Sequence, residues 1–406
     1  MIKAQTLKGF RDFLPVEAKK RQYVINILKQ VFESYGFEPL ETPALEYEEI
    51  LLGKYGEEDD KLMYRFEDNG KRKVALRYDQ TVPLARVVAQ YQNELPMPFK
   101  RYQIQNVWRA ENTQKGRYRE FLQCDADIVG TNSLLSDLEI LQCANSTMKT
   151  LGFKDFTILI NSRKVFNVFG PDSDKITRIL DKEDKIGKEN VLSQLNETIG
   201  SSAKAAKIYN MVKNLQPVQI PDRLKKILDN NEKLGLNLFP MFFLARGLSY
   251  YTDLIFEIKI ANYKGGSVCG GGRYDNLIGM FAGKQIPAVG FAFGFDRLME
   301  AMEELKLFPA ELTTTKVLVT VFSKDLEGKS LEIASLLREK GINTEIYLDQ
   351  DAKMEKQLKY ADKKQIPYVV IIGPDEAKNN TITVKNLKTR EQKTIPFDQL
   401  LDLFKE

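Results

Sequence analysis

Histidine is missing from all 406 residues. Its absence excludes Ser-His-Asp and Cys-His nucleophilic machinery, imidazole metal sites and an imidazole general base. Cysteine is scarce. Cys124, Cys143 and Cys269 are odd in number and far apart. That spacing excludes a structural zinc site in a chain without histidine and points to reduced thiols in a cytosol-like compartment. Long apolar runs are also lacking: a stretch such as Phe239 to Ala245 falls well short of the ~18 residues a membrane helix needs. The opening MIKAQTLKGFRDFLP has no apolar segment of the signal-peptide kind, so no export signal is expected. Neither sign of charge dominates. Sixty Lys and Arg against 56 Asp and Glu leave +4, too little for a polycation yet compatible with local basic patches. What remains is ordinary globular material, 43% hydrophobic and 29% charged, enough for two to three domains at about 150 residues each. Any chemistry must use carboxylates, Arg, Lys, Tyr or the substrate itself.

The pattern predicts an amphipathic helix over 15–35, where Val24, Ile25, Leu28, Val31, Phe32 and Tyr35 recur at three- and four-residue spacing. A short strand, FEPLETPALE, follows and closes at Pro43. Residues 74–91 switch from strand to helix at Pro83, residues 99–130 read as two strands around a charged hairpin, and 136–151 reads as a helix. Residues 164–235 carry 13 basic and 10 acidic residues at helical spacing and read as a helical insertion. LIFEIKI (254–260) alternates as a strand, 265–272 is dense in glycine, and 287–305 is a strand running into a helix. Beyond a linker at 309–315, strands and helices alternate as in an α/β domain.

Four stretches have residues suited to chemistry, and each has a plainer reading. Residues 100–120 hold six basic residues against two acidic. Arginines flanking strands suit phosphate or carboxylate, but a solvated hairpin with ion pairs would look the same. In LARGLSYYTDLIFEI (244–258), Arg246 stands near two tyrosines that fit a polar planar ligand, or a β-bulge with core tyrosines. GGSVCGGGRYDNLI (265–278) removes side chains so that a ligand can approach the backbone, or is a flexible hairpin; it is not a dinucleotide fingerprint. In AVGFAFGFDRLMEAM (288–302), Arg297 at the helix start fits a phosphate or a capping salt bridge.

Taken in order, the helix over 15–35 with its strand closed at Pro43, the Arg-rich hairpin, the glycine strand and the strand with a helix-starting Arg resemble motifs 1, 2 and 3 of class II aminoacyl-tRNA synthetases. KGFRDFLP, KGRYREFLQ, RGLSYY and CGGGRYD resemble the histidyl-tRNA synthetase family closely, and the likeness runs from residue 8 to the end. It implies an α+β fold with an antiparallel-sheet catalytic core over 1–163 and 236–308. It also implies a helical insertion over 164–235 and an α/β anticodon-binding domain over 316–406. The implied reaction joins the histidine carboxylate to the α-phosphate of ATP, with Mg2+ and no prosthetic group, and then charges histidine tRNA. The implied protein is a cytoplasmic homodimer with no membrane partner.

By this resemblance Arg109 grips the α-phosphate, and Arg246 contacts both the substrate carboxylate and the α-phosphate. Arg297 meets the γ-phosphate, Arg117 and Glu111 contact ATP, and Phe121 stacks on adenine. Asp79, Thr81 and Gln123 hold the α-amino group. Asp127 and Tyr251 read the imidazole nitrogens, with Tyr250 beside them. Gln114 contacts the extra 5′ nucleotide of histidine tRNA. Two positions depart from the family: Ser249 stands where Asp is common, and Asp79 where many members have Glu. A regulatory paralogue or a sensor of uncharged tRNA, neither of them catalytic, is disfavoured by the presence of Arg109, Arg246, Arg297 and the C-terminal domain. A synthetase for another amino acid is disfavoured by RGLSYY. The C-terminal domain has 16 basic and 15 acidic residues, so RNA binding there is implied by the resemblance alone and not by charge.

Overall fold

The computed structural model describes residues 2–54, 60–113, 116–215, 219–246, 250–310 and 312–404, the side chain of Asp174 excepted. The chain divides into two compact units, residues 1–13 with 21–308 and residues 14–20 with 309–406.

The first unit is built on an eight-stranded sheet. In chain order its strands are β1 (Glu38–Pro39), β2 (Phe99–Trp108), β3 (Glu120–Val129), β4 (Phe156–Ser162), β5 (Leu238–Pro240), β6 (Leu254–Ile260), β7 (Cys269–Arg273) and β8 (Ala288–Gly294). In space they run β1-β2-β3-β8-β7-β6-β4-β5. The outer pairs β1/β2 and β4/β5 are parallel, and the neighbours between them are antiparallel. This is the α+β architecture that the resemblance implies.

The two faces of the sheet differ because side chains alternate along each strand. One face presents Cys124, Ala126, Ile128, Phe256, Ile258, Phe291 and Phe293, all buried. It packs in one apolar core with α1 (Pro15–Ser34), α3 (Leu134–Thr150) and α4 (Phe295–Glu304). From α1 the core takes Val24, Leu28, Val31 and Phe32, and Pro15 sits in its first turn, where the missing N–H costs nothing. The other face pairs Gln123 with Gly294, Asp125 with Ala292 and Asp127 with Gly290 across β3 and β8. Next to these lie Gly270 and Gly272 of β7, opposite Ala292 and Gly290, and then Glu257 of β6, opposite Gly270. The middle of this face is thus floored by glycine and alanine and flanked by polar side chains.

Two local expectations change. The stretch 37–46 is not one strand: Glu38–Pro39 pairs with β2, and Leu45–Tyr47 joins a separate three-stranded sheet. Prolines 39 and 43 have no N–H to give a ladder. The chain between is held by side chains instead, with Thr42 N–H donating to Gln105 Oε1 and Arg77 Nη1 donating to the Thr42 carbonyl. The strand-to-helix switch comes at α2 (Thr81–Gln90), two residues before Pro83, which therefore sits harmlessly in the first turn.

Between β4 and β5, three helices (Ser173–Leu180, Glu183–Ile199, Ser202–Lys213) gather a core of their own around Phe166, Leu180, Val191, Leu195, Tyr209 and Val212. The helix Asp222–Asp229 instead sends Leu224 and Ile227 into the main core. In the second unit, strands Thr344–Ile346, Val317–Val319 and Tyr368–Ile371 are parallel, and Thr381–Asn386 and Gln392–Pro396 extend the sheet antiparallel. Glu327–Glu339 and Met354–Lys363 are its connecting helices. The alternation read from the sequence is present there. Among the described residues, no helix is long and apolar enough to cross a membrane.

Candidate active site

Over the glycine floor opens a cavity of about 820 Å3. Arg109, Glu111, Arg117, Phe121, Gln123, Arg246 and Arg297 all line it. These seven come from motifs as far apart as 188 residues in sequence, and the sheet brings them to one hollow. Asp79, Thr81, Asp127 and Tyr251 do not line it; they are buried beside it. Tyr250 is partly buried, and its hydroxyl lies 3.4 Å from Thr81 Oγ1. Gln114 and Ser249 lie outside the described residues.

Arg109 is held before any ligand arrives. Its Nε donates to the Tyr78 carbonyl at 3.1 Å, and its Nη2 lies 3.4 Å from Gln123 Oε1. The guanidinium stands over the rings of Tyr78 and Phe121, at 4.4 and 5.0 Å from their centroids. Arg297 donates to the Ser267 carbonyl at 3.0 Å. Its neighbour Asp296 is gripped by Arg11 at 2.8 Å and Arg21 at 3.0 Å, which fixes the start of α4. Glu111 and Arg117 form a looser pair at 3.4 Å.

Arg246 has a left-handed backbone, φ 57°, which a non-glycine residue adopts only when held there. Asp181, from the helical segment between β4 and β5, supplies the hold: its Oδ1 accepts from the N–H groups of Ala245 and Arg246 at 2.9 and 3.2 Å. The side chain reaches Glu257 at 2.7 Å. Burial pushes Glu257 up, but the Arg246 charge and hydrogen bonds from Ser267 and Arg246 outweigh it and leave the carboxyl below its ordinary range. Glu257 therefore stays ionised and keeps Arg246 over the floor.

The glycines leave room that the sequence reading assigned to a ligand, and the protein's own side chains occupy part of it. A Cβ at Gly270 would collide with the Arg246 guanidinium, one at Gly272 with the Leu254 carbonyl and the Tyr251 ring, and one at Gly290 with the Asp127 carboxylate. The space is taken by the protein's own polar side chains as well as left open for a ligand. At Gly271, on the opposite face, a Cβ would strike Phe256, Phe291 and the Gly290 carbonyl in the core.

The buried cluster is continuous. Asp79 Oδ1 accepts from Thr81 N–H at 3.0 Å and Val82 N–H at 3.3 Å, fixing the start of α2. Tyr250 packs against Tyr251 and Tyr274, with centroids 4.9 and 5.8 Å apart. Tyr274 donates to Asp127 Oδ1 at 2.5 Å, and Gln123 Nε2 donates to Asp125 Oδ2 at 3.0 Å. Burial raises the hydroxyl pKa of both Tyr250 and Tyr251, so both are neutral donors at ordinary pH.

Several residues at the site escaped the sequence reading: Glu257, Asp181, Asp125, Tyr274 and, as members of the cluster, Arg101 and Gly290. For Glu257 the signal was available, since the alternation of LIFEIKI already sets it opposite the apolar face. Among the described residues no three or more Asp, Glu, His or Cys side chains gather as a metal site.

Comparison with known proteins gives a consistent result. A family model described as histidyl-tRNA synthetase matches residues 9–298, and one described as anticodon binding domain matches residues 316–406. A histidine–tRNA ligase of Cytophaga hutchinsonii is 41% identical over 450 aligned residues, covering 99% of each chain. One from Wolinella succinogenes is 40% identical, covering 97% of this chain and 96% of its own. The crystal structure of histidyl-tRNA synthetase from a Nostoc species superposes with TM-score 0.86 at 30% identity, over 100% of this chain and 99% of the other.

Proposed function

The chain belongs to the histidyl-tRNA synthetase family and is a histidine–tRNA ligase, and on that premise we propose how its residues divide the reaction. The histidine carboxylate attacks the α-phosphorus of ATP, pyrophosphate leaves, and the adenylate then yields histidine to the 3′ end of histidine tRNA. Both reactants are anions, so fixed positive charge must hold them together and stabilise the five-coordinate phosphorus. The observation that carries this reading is the placing of Arg109, Arg246 and Arg297 around one hollow floored by glycine.

Arg109, pinned by Tyr78, takes the α-phosphate. Arg246 works where the substrate carboxylate and the α-phosphate converge. Arg297 meets the γ-phosphate, Glu111 and Arg117 contact ATP, and Phe121 offers its ring to adenine. Magnesium would enter as part of the nucleotide substrate and would neutralise phosphate charge, since no cluster of three or more acidic or thiol side chains gathers among the described residues to hold it. The α-amino group of histidine goes to Asp79, Thr81 and Gln123. Asp127 and Tyr251, with Tyr250 beside them, read the ring nitrogens; a carboxylate and a hydroxyl satisfy both, and buried polar pairing of this kind discriminates sharply. Gln114 takes the extra 5′ nucleotide of the tRNA.

We assign 1–163 and 236–308 to the catalytic core, 164–235 to the insertion and 316–406 to the anticodon-binding domain. A homodimer is supported by the likeness of α1 and the following strand to motif 1. Leu45, Tyr47 and Phe66, left exposed on the small three-stranded sheet, give further support. A cytoplasmic setting is supported by three free, buried cysteines.

Histidine-dependent exchange of pyrophosphate into ATP tests the activation step directly. Exchange above background with histidine is expected, and none would remove the catalytic reading. Deleting 316–406 should leave exchange within a few-fold of the full chain while tRNA charging weakens, measured side by side on folded protein. Loss of exchange in a folded truncation would show that the second unit takes part in activation.

A further inference from the structure

The charged group nearest the proposed ring-reading carboxylate is one with no place in the scheme above. Arg101 is fully buried. It sits on β2 directly across from Asp127 on β3, with its Nη2 2.7 Å from Asp127 Oδ2 and 3.8 Å from Asp125 Oδ2. The same Nη2 lies 3.4 Å from the Gln80 carbonyl, and Nη1 lies 3.3 Å from Gln103 Oε1. Nothing about this residue suits bulk solvent, and its guanidinium is directed to the buried carboxylates of β3. A guanidinium is costly to bury without a matched anion, so its presence here needs a reason.

We propose that Arg101 is a positioning residue for histidine recognition, holding Asp127 ionised and aimed so that its carboxylate accepts an N–H from the substrate ring. This rests on the reading of Asp127 as the ring acceptor. From the other side Tyr274 donates to Asp127 Oδ1, and Gly290 leaves the carboxylate room. One oxygen is thus turned to Tyr274 and the other to Arg101, and the lone pairs that remain are for the substrate.

The electrostatic need follows from what surrounds Asp127. Asp125 on its own strand is itself pushed well up by burial, Asp79 before α2 pushes Asp127 up, Tyr251 and Tyr274 are neutral hydroxyls, and Arg101 is the cation among them. Burial is the chief force raising both Asp127 and Asp125, and the Arg101 charge is the largest opposing one. Without Arg101, Asp127 would hold its proton to higher pH and would present a donor where the ring needs an acceptor.

The test compares KM for histidine in R101M and wild type from pH 6.5 to 9, with KM for ATP as control. Taking the ratio of variant to wild type cancels the substrate's own titration, whose ordinary imidazole pKa is ~6.5. Losing the paired cation should raise the ratio about 10–100-fold at the acid end. The sign is fixed: a raised Asp127 pKa means the acceptor form returns as pH rises, so the ratio should shrink towards pH 9. KM for ATP should change little. In R101K, which keeps the cation but not the planar fork, the rise should be smaller and flat with pH. If R101M does not fold, R101K alone decides: an unchanged KM for histidine overturns the proposal. A flat ratio in R101M, or a loss confined to kcat, overturns it too. D127N separates the two readings. It should raise KM for histidine by a pH-independent factor relative to wild type. If D127N leaves KM unchanged, Asp127 is not the ring acceptor and the parent reading fails whatever Arg101 does.

Discussion

Arg246→Ala should slow adenylate formation about 10²–10³-fold, the scale of losing one donor aimed at developing charge, while ATP binding stays close to wild type. The reason is where the guanidinium stands. It is tethered at 2.7 Å to Glu257 and lies against the backbone of Gly270, at the point of the hollow where two anions would meet. An interaction there grows as the carboxylate closes on phosphorus, so it belongs to the transition state more than to either ground state. On the proposed assignment, ATP binding keeps its other supports, Arg109, Arg117 and Arg297, all of which line the hollow. Single-turnover adenylation with saturating ATP, set beside equilibrium ATP binding, measures both quantities. An unchanged single-turnover rate would take Arg246 out of the chemistry.

Gly270→Ala should reproduce much of that loss without touching a charged residue. The added methyl occupies the place of the Arg246 guanidinium. The far end of a flexible side chain yields before a sheet backbone does, so the fold should survive and the arginine should swing off the floor. We expect about 10–100-fold slower adenylation with little change in thermal midpoint. The diagnostic is the double variant: adding G270A to R246A should cost almost nothing more, because both remove the same interaction. Additive losses would mean that Gly270 serves the substrate directly and that the arginine is not displaced.

These glycines show how far a sequence can be read. CGGGR marks a strand without side chains, and its place in the sheet is as expected. What stands in the vacated space is fixed by Arg246 and Tyr251, 24 and 21 residues earlier in the chain, and no local pattern indicates their reach. Glu257 was within reach of the period-two rule. The run RYQIQ on β2 likewise alternates polar and apolar residues, so Arg101, Gln103 and Gln105 share the face of Gln123, Asp125 and Asp127. Counting that run as part of a basic hairpin hid its pairing. The grip of Asp181 on the backbone of Arg246 was beyond reach, since it spans 65 residues. The same holds for Arg273 in the motif GGGRYD. It is fully buried and paired at 2.9 Å with Asp137, 136 residues away, so it supports the fold and does not line the hollow. Motif spacing fixes chain-local geometry, and partners across the sheet come from register.

The floor also settles where the enzyme does its moving. Its glycines and alanines are main chain and little else, locked on both sides by the ladders that join β7 to β6 and to β8. A surface of that kind has no rotamers to change and no side-chain entropy to lose when a substrate settles on it. Conformational adjustment is left to the groups standing around the rim, chiefly the arginines and their carboxylate tethers. Substrate-free and substrate-bound forms should therefore share one sheet and differ in the side chains above it, with the backbone of β7 acting as a fixed bed.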